Sequence, residues 1–146
     1  MPIFRKGTEE DIKYIAELEK KTFSDAWTEK GVQDTFEQNQ AFITVAEDGA
    51  RVVGYCIIYY VMEEAEIARI AVSEDVRRLG IGKGLLDYTC KCSRKKQIER
   101  LLLDVRESNE GAIAFYKKYG FKMDGIRKNF YEMPREDAVL MSMSLV

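Results

Sequence analysis

The chain has 146 residues, 46% of them hydrophobic and 33% charged, with a formal net charge of −2. That length fits one domain with a real core over residues 1–146, and the composition excludes a disordered chain. Near-neutral charge argues against a broad nucleic-acid footprint, so no direct nucleic-acid partner is expected, while a mildly acidic surface is compatible with a basic one.

In chain order, Ile3–Arg5 reads as a short strand. Thr8-Glu9-Glu10-Asp11 then opens a helix in the manner of a capping box, and Ile12, Ile15, Leu18 and Thr22/Phe23 keep helical spacing. Thr28 is placed to cap a second helix carrying Val32 and Phe36. Ala41–Ala46 and Val52–Met62 predict two strands around an Asp48-Gly49 turn, and Ala65–Val72 a third. A glycine-rich turn, Arg77–Gly82, leads into a helix over about Lys83–Lys95. Leu101–Arg106 is a strongly apolar strand. Asn109 caps a helix bearing Ala112, Ile113, Tyr116 and Tyr119, which Gly120 ends. Phe121–Tyr131 and Ala138–Leu145 predict two last strands around a polar loop at Glu132–Glu136. The order β-α-α-β-β-β-α-β-α-β-β predicts an α/β protein with a mixed sheet, not a doubly wound parallel one.

The chain has no histidine, so a Cys/His zinc site and a Ser-His or Cys-His catalytic pair are excluded, and any base must be Asp, Glu, Tyr, Lys or Cys. No metal is expected. Cys56, Cys90 and Cys92 are an odd number, with the last two poorly spaced to bridge on a helix, and read as reduced thiols. The first residues lack the apolar run of a signal peptide, and Val52–Met62 is too short and too rich in tyrosine to span a bilayer. A cytoplasmic protein with no membrane partner is the expectation.

The segment Val72-Ser73-Glu74-Asp75-Val76-Arg77-Arg78-Leu79-Gly80-Ile81-Gly82-Lys83-Gly84 joins a strand directly to a helix. Its glycines let backbone N–H groups converge, the helix start adds partial positive charge, and Arg77, Arg78 and Lys83 add full charges. This is an anion cradle suited to a pyrophosphate. A Walker loop would need glycine where Arg77 stands and Ser or Thr after Lys83, and a Rossmann fingerprint would need glycine at Leu85. A plain strand–helix turn using glycine for its backbone freedom is the alternative.

Arg77-Arg78-Leu79-Gly80-Ile81-Gly82 resembles the Arg/Gln-x-x-Gly-x-Gly/Ala signature of the GNAT acetyltransferase superfamily, and its place after the fourth strand agrees. Asp104–Phe121, with Asn109, Tyr116 and Gly120, is similar to the second block of bacterial ribosomal-protein-alanine N-acetyltransferases. The tail Arg127-Lys128-Asn129-Phe130-Tyr131, followed by Glu136-Asp137-Ala138-Val139-Leu140-Met141, is similar as well. Phe23-Ser24-Asp25-Ala26-Trp27-Thr28-Glu29 resembles that family's Phe-Pro-Trp-Ser-Glu segment. The resemblance covers essentially the whole chain. It implies the GNAT fold and acetyl-coenzyme A as co-substrate. It also implies that Arg77, Arg78, Leu79, Gly80, Ile81, Gly82 and Lys83 hold the pyrophosphate, and that the backbone of Ile70, Ala71 and Val72 meets the pantetheine arm. Asn109 and Tyr116 are implied at the cofactor, with Tyr116 facing its sulfur as general acid and Asp104 as base. Three departures stand out: Asp104 is one methylene shorter than the family's usual Glu, Ala26 replaces a common proline, and the final loop is about two residues shorter than in some members.

The residues set the chemistry. A peptide α-amine, with a pKa of roughly 8, is partly neutral at pH 7, whereas a lysine amine near about 10.4 is almost wholly charged. Asp104, at the end of a buried strand, is a candidate to accept the proton, although an ordinary carboxylate near about 3.9 is a weak base unless burial or neighbours raise it. Pairing with Arg106, or capping the next turn, is the competing role. Tyr116 is otherwise an amphipathic core tyrosine, Asn109 an N-cap, and Trp27 and Tyr131 either line an acceptor groove or fill the core. The expected protein is a monomer acetylating a protein N-terminus, most simply the alanine of a basic ribosomal protein. Its rivals are a small-amine or lysine acetyltransferase, and a non-catalytic acyl-coenzyme A-binding module; the sequence offers no clear acidic cluster near the groove to favour a small amine.

Overall fold

The computed structural model describes residues 1–146, and the expected elements form within a few residues of their expected ends. They run β1 (Ile3–Lys6), α1 (Ile12–Thr22), α2 (Glu29–Phe36), β2 (Ala41–Asp48), β3 (Arg51–Val61), β4 (Glu64–Val72), α3 (Ile81–Lys95), β5 (Arg100–Arg106), α4 (Glu110–Tyr119), β6 (Lys122–Glu132) and β7 (Arg135–Ser144). The seven strands make one mixed sheet in the order β1-β2-β3-β4-β5-β7-β6, parallel only between β4 and β5. No helix is long and apolar enough to cross a membrane.

The capping signals act as read, with one adjustment. Asp11 accepts the Thr8 backbone N–H at 2.7 Å, but the first turn, Glu9–Asp11, is a 3-10 turn before α1 begins. Thr28 Oγ1 accepts the Gly31 N–H at 3.0 Å and starts α2. Each helix then buries its apolar stripe. One core layer joins α1 and α2, through Ile12, Ile15, Leu18 and Val32, to Val45, Tyr55 and Ile57 of the sheet. The other joins α3 and α4, through Ile81, Leu85, Leu86 and Tyr116, to Ile58, Leu101, Leu103 and Met141. At Gly84 the approach of α3 to β1 is so close that a Cβ would stand 2.3 Å from the tip of the Phe4 ring, so any larger residue would have to displace that ring.

The polar loop expected at Glu132–Glu136 is smaller than that. Tyr131 pairs with Glu136 and Glu132 with Arg135, leaving only Met133 and Pro134 between the strands. The charged residues that suggest a loop are accommodated in the strands because Glu132 and Arg135 face water and Glu136 is paired with Arg106. A second irregularity lies upstream. The β6 register breaks between Arg127 and Tyr131, Asn129 takes a positive φ of 53°, and its N–H is held by Asp137 Oδ1 at 2.8 Å.

The sheet opens in the middle. β4 and β5 pair only over Glu64–Arg100, Ala65–Leu101 and Glu66–Leu102. The pairing of β3 with β4 shifts between Ile57–Arg69 and Ile58–Ile67, so Ala68 is an extra residue on β4 where the two strands part. Such a bulge bends its strand. From Ile67 to Val72 the β5-facing edge of β4 therefore has no strand partner.

Candidate active site

The splay between β4 and β5 is a cleft of about 420 Å³, walled by both strands, the start of α4, the Phe23–Trp27 segment and Tyr131. It brings Asp104, Tyr116, Asn109, Ile70, Trp27 and Tyr131 together from five separate stretches of chain.

Asp104 pairs across the sheet with Leu140 and makes no ion pair or side-chain hydrogen bond. The competing roles fall to others. Arg106 binds Glu136 at 3.2 Å, and Asn109 Oδ1 accepts the Ala112 N–H at 3.1 Å to cap α4. Burial holds the Asp104 carboxyl above its ordinary value, with Arg127 pulling the other way. That is the direction a carboxylate base requires. Tyr116 is 7% exposed, its ring packed edge-on against Phe115 and Phe121 at 5.4 and 5.5 Å. Its hydroxyl has no hydrogen-bond partner, and burial, with smaller contributions from Cys56 and Tyr131, keeps the phenol protonated well above its usual range.

Across the cleft, Trp27 is held by a network that sequence reasoning missed. Glu19 is fully buried and accepts bonds from the Trp27 N–H at 2.9 Å, the Tyr55 hydroxyl and Arg69 Nε at 3.2 Å. The Arg69 guanidinium lies 4.2 Å from the Phe23 ring centroid and 5.7 Å from that of Trp27. It also binds Asp25 at 3.0 Å. Burial would raise the Asp25 carboxyl, but the Arg69 hydrogen bond and charge outweigh it and hold it low. One signal was available: Glu19 falls one turn after Ile15, on the apolar stripe of α1, where an unpaired carboxylate would not be tolerated. On the other wall, Arg106 lies 4.3 Å from the Tyr131 ring centroid.

The groove also holds more acid than the sequence suggested. Asp25, Glu66 and Asp104 all line it, and only Asp25 is neutralised by a partner. Strand alternation alone does not reveal this, because Glu66 and Asp104 meet only through the β4–β5 pairing.

At the other end of β4, the chain turns through Glu74–Val76 into the expected cradle. Arg78 and Gly80 both take left-handed φ, 68° and 80°, and Gly80 is the cap of α3. A glycine cap offers no side-chain acceptor, and the first bond of the helix runs from the Gly84 N–H to the Gly80 carbonyl at 3.0 Å. The amides of Ile81, Gly82 and Lys83 are thus left without intrahelical acceptors. Arg77, Arg78 and Leu79 are exposed, and Arg77 Nε folds back to the Val72 carbonyl at 3.1 Å. Lys83 binds Asp87 at 3.1 Å and lines a groove of about 720 Å³ between α3 and α4, with Phe115, Lys118 and Tyr119. All three cysteines are buried free thiols.

The profile of the Acetyltransferase (GNAT) family matches residues 12–121. A protein of Bacillus subtilis (strain 168), provisionally assigned as a ribosomal protein bS18-alanine N-acetyltransferase, is 36% identical over 133 residues, 90% of this chain and 88% of its own. The ribosomal protein bS18-alanine N-acetyltransferase of Escherichia coli (strain K12) is 32% identical over 141 residues, 92% of each chain. The crystal structure of the Escherichia coli ribosomal-protein-S18-alanine N-acetyltransferase superposes with a TM-score of 0.91 at 28% identity, covering 99% of this chain and 94% of that one. A sheet splayed between its fourth and fifth strands, a glycine-capped helix start beside the opening, and these matches make one conclusion: the chain belongs to the GNAT family of acetyltransferases.

Proposed function

We propose that this protein transfers the acetyl group of acetyl-coenzyme A to the α-amine of an N-terminal alanine on a basic ribosomal protein, acting as a cytoplasmic monomer. One observation carries the reading: an unpaired carboxylate, Asp104, and the unpaired hydroxyl of the buried Tyr116 share one cleft beside a free strand edge. The similarity to the ribosomal protein bS18-alanine N-acetyltransferase of Escherichia coli supports the choice of acceptor.

The residues present fit acetyl-coenzyme A. The free amides of Ile81, Gly82 and Lys83, with Arg77 and Arg78, suit a pyrophosphate. The unpaired edge of β4 at Ile70, Ala71 and Val72 offers backbone groups to an extended amide-bearing arm, and Lys83, Phe115, Lys118 and Tyr119 suit a nucleotide. Bound there, the co-substrate supplies an activated acetyl thioester. Asp104 then accepts a proton from the acceptor nitrogen, directly or through water. Tyr116 donates a hydrogen bond where thiolate charge develops. Trp27 and Tyr131 orient the acceptor, and Asn109 fixes the start of the helix that carries Tyr116.

Gly82→Asp tests the cradle. A Cβ at Gly82 would approach the tip of the Phe115 ring at 3.3 Å, a contact that ring can relieve, so the variant folds. Its carboxylate occupies the anion site, and coenzyme A affinity falls at least about tenfold, or about 1.4 kcal/mol. Calorimetry on the folded variant checks this; unchanged affinity removes the turn from the binding site.

The acceptor is tested by steady-state rates on a panel holding an unblocked alanine peptide, an N-terminally blocked lysine peptide, a polyamine and an aminoglycoside. The alanine peptide is expected to be fastest, because its α-amine sheds a proton more easily than a lysine. Faster turnover of the blocked lysine peptide or of either small amine overturns the assignment.

A further inference from the structure

The cleft contains a second carboxylate that the mechanism above leaves idle. Glu66 occupies the last paired position between β4 and β5, opposite Leu102. Asp104 lies two residues beyond Leu102, so the two-residue period of a strand puts Glu66 and Asp104 on the same face of the sheet. They stand on the two walls at the narrow end of the splay, and both line the cleft. Neither is spent on a partner. The cleft's other acid, Asp25, is bound to Arg69, and its second arginine, Arg106, is bound to Glu136.

The chemistry of the reaction gives such a pair work to do. An acceptor that arrives as an ammonium and leaves as an amide gives up two protons from one nitrogen. One must go before the lone pair can attack, and the other goes as the new bond forms. The C–N bond forms while the C–S bond breaks, one proton ends on the departing thiolate, and the other goes to solvent. A single carboxylate would have to unload between the two transfers.

We propose that Glu66 is the second catalytic carboxylate of this enzyme: it receives the acceptor's ammonium from the β4 wall and takes the first proton, leaving Asp104 to take the second. The proposal rests on the cleft being the amine site, not on which amine is the acceptor. The charged surroundings agree with it. Burial raises the Glu66 carboxyl, the charge of Asp104 raises it further, and Arg127 from β6 opposes both. Tyr131 on β6 stays protonated, through burial and the same Asp104 charge, against the pull of Arg106 and Arg69. Two neighbouring carboxylates resist being ionised together, and a bound ammonium relieves that repulsion.

The test is Glu66→Gln, which keeps the shape and removes the charge, with Glu66→Asp as the conservative control. The substrate is whichever amine the wild type acetylates, so failure of the alanine peptide sinks the acceptor assignment without deciding this one. With an α-amine, kcat/KM of Glu66→Gln is expected to fall about tenfold below pH of about 8, where the amine is mostly protonated, and to recover above it. Glu66→Asp retains most of the activity, and KM for acetyl-coenzyme A stays unchanged. A second readout needs no turnover. With coenzyme A present, calorimetry should show the wild type binding the free-amine acceptor about tenfold tighter than its des-amino analogue, a preference that Glu66→Gln loses. A wild-type pH profile with the ammonium preference intact in folded Glu66→Gln overturns the proposal. So does a loss that is uniform in pH and accompanied by weakened coenzyme A binding.

Discussion

Tyr116→Phe is expected to lose about a hundredfold or more from kcat, with fold and coenzyme A binding retained. The substitution removes one oxygen from a ring that is packed against Phe115 and Phe121, so the core contacts stay. The lost hydroxyl has no partner within the protein, so no internal hydrogen bond goes with it. What disappears is a neutral donor at the cleft. Burial raises the phenol, which keeps it protonated at every working pH and makes it a poorer acid than a free one. Full proton transfer to a thiolate, whose conjugate acid lies near about 8.5, is therefore uphill, and hydrogen-bond stabilisation of the developing charge is the expected contribution. Single-turnover kinetics give the chemical step directly. A folded variant with a near-wild-type chemical step makes Tyr116 a packing residue.

Asp104→Asn is expected to cost about a hundredfold in kcat/KM, concentrated on the acidic limb of the pH profile, and to leave coenzyme A affinity nearly intact. The absence of any ion pair at Asp104 makes this a clean change, because no cation is left unpaired. Burial raises the carboxyl above its ordinary value. Below the raised value the group is protonated and cannot accept a proton, so wild-type activity climbs as pH rises through it. That midpoint lies above the usual carboxylate value of about 3.9, and with Glu66 beside Asp104 it belongs to the pair. Asp104→Glu extends the carboxylate by one carbon toward the residue usual in the family, and activity within about tenfold of wild type is expected. Measured pH profiles of the three proteins check this. An acidic limb unchanged in Asp104→Asn assigns the ionisation elsewhere.

What was legible in the sequence was whatever local spacing encodes. Gly80 and Gly82 after an apolar strand marked the turn into α3, Asn109 and Gly120 bracketed α4, and Thr28 capped α2. The pattern of alternating and helical segments gave the element order and the mixed sheet. What escaped was set by contacts between distant residues. Arg69 and Glu19 lie 50 positions apart, and Glu19 and Tyr55 lie 36 apart. Glu66 carries no local signal of a role, because only the β4–β5 register places it near Asp104. The break at Asn129 depends on a hydrogen bond from its N–H to Asp137, which strand periodicity does not encode. The unpaired edge of β4 was hidden for the same reason. It arises from a bulge at Ala68 that only the pairing of β3 with β4 exposes.

Internal competition between two amines tests most directly whether this cleft acetylates an α-amine. A single peptide with a free N-terminal alanine and one internal lysine is incubated with the wild-type enzyme and limiting acetyl-coenzyme A, and the acetylated nitrogen is located by tandem mass spectrometry. Near pH 7 the α-amine is partly neutral while the lysine amine is almost wholly protonated, so the acetyl group is expected on the alanine, with Asp104→Asn and Tyr116→Phe slowing its appearance. Acetyl found mainly on the lysine, or formed at wild-type rate by both variants, would contradict the account.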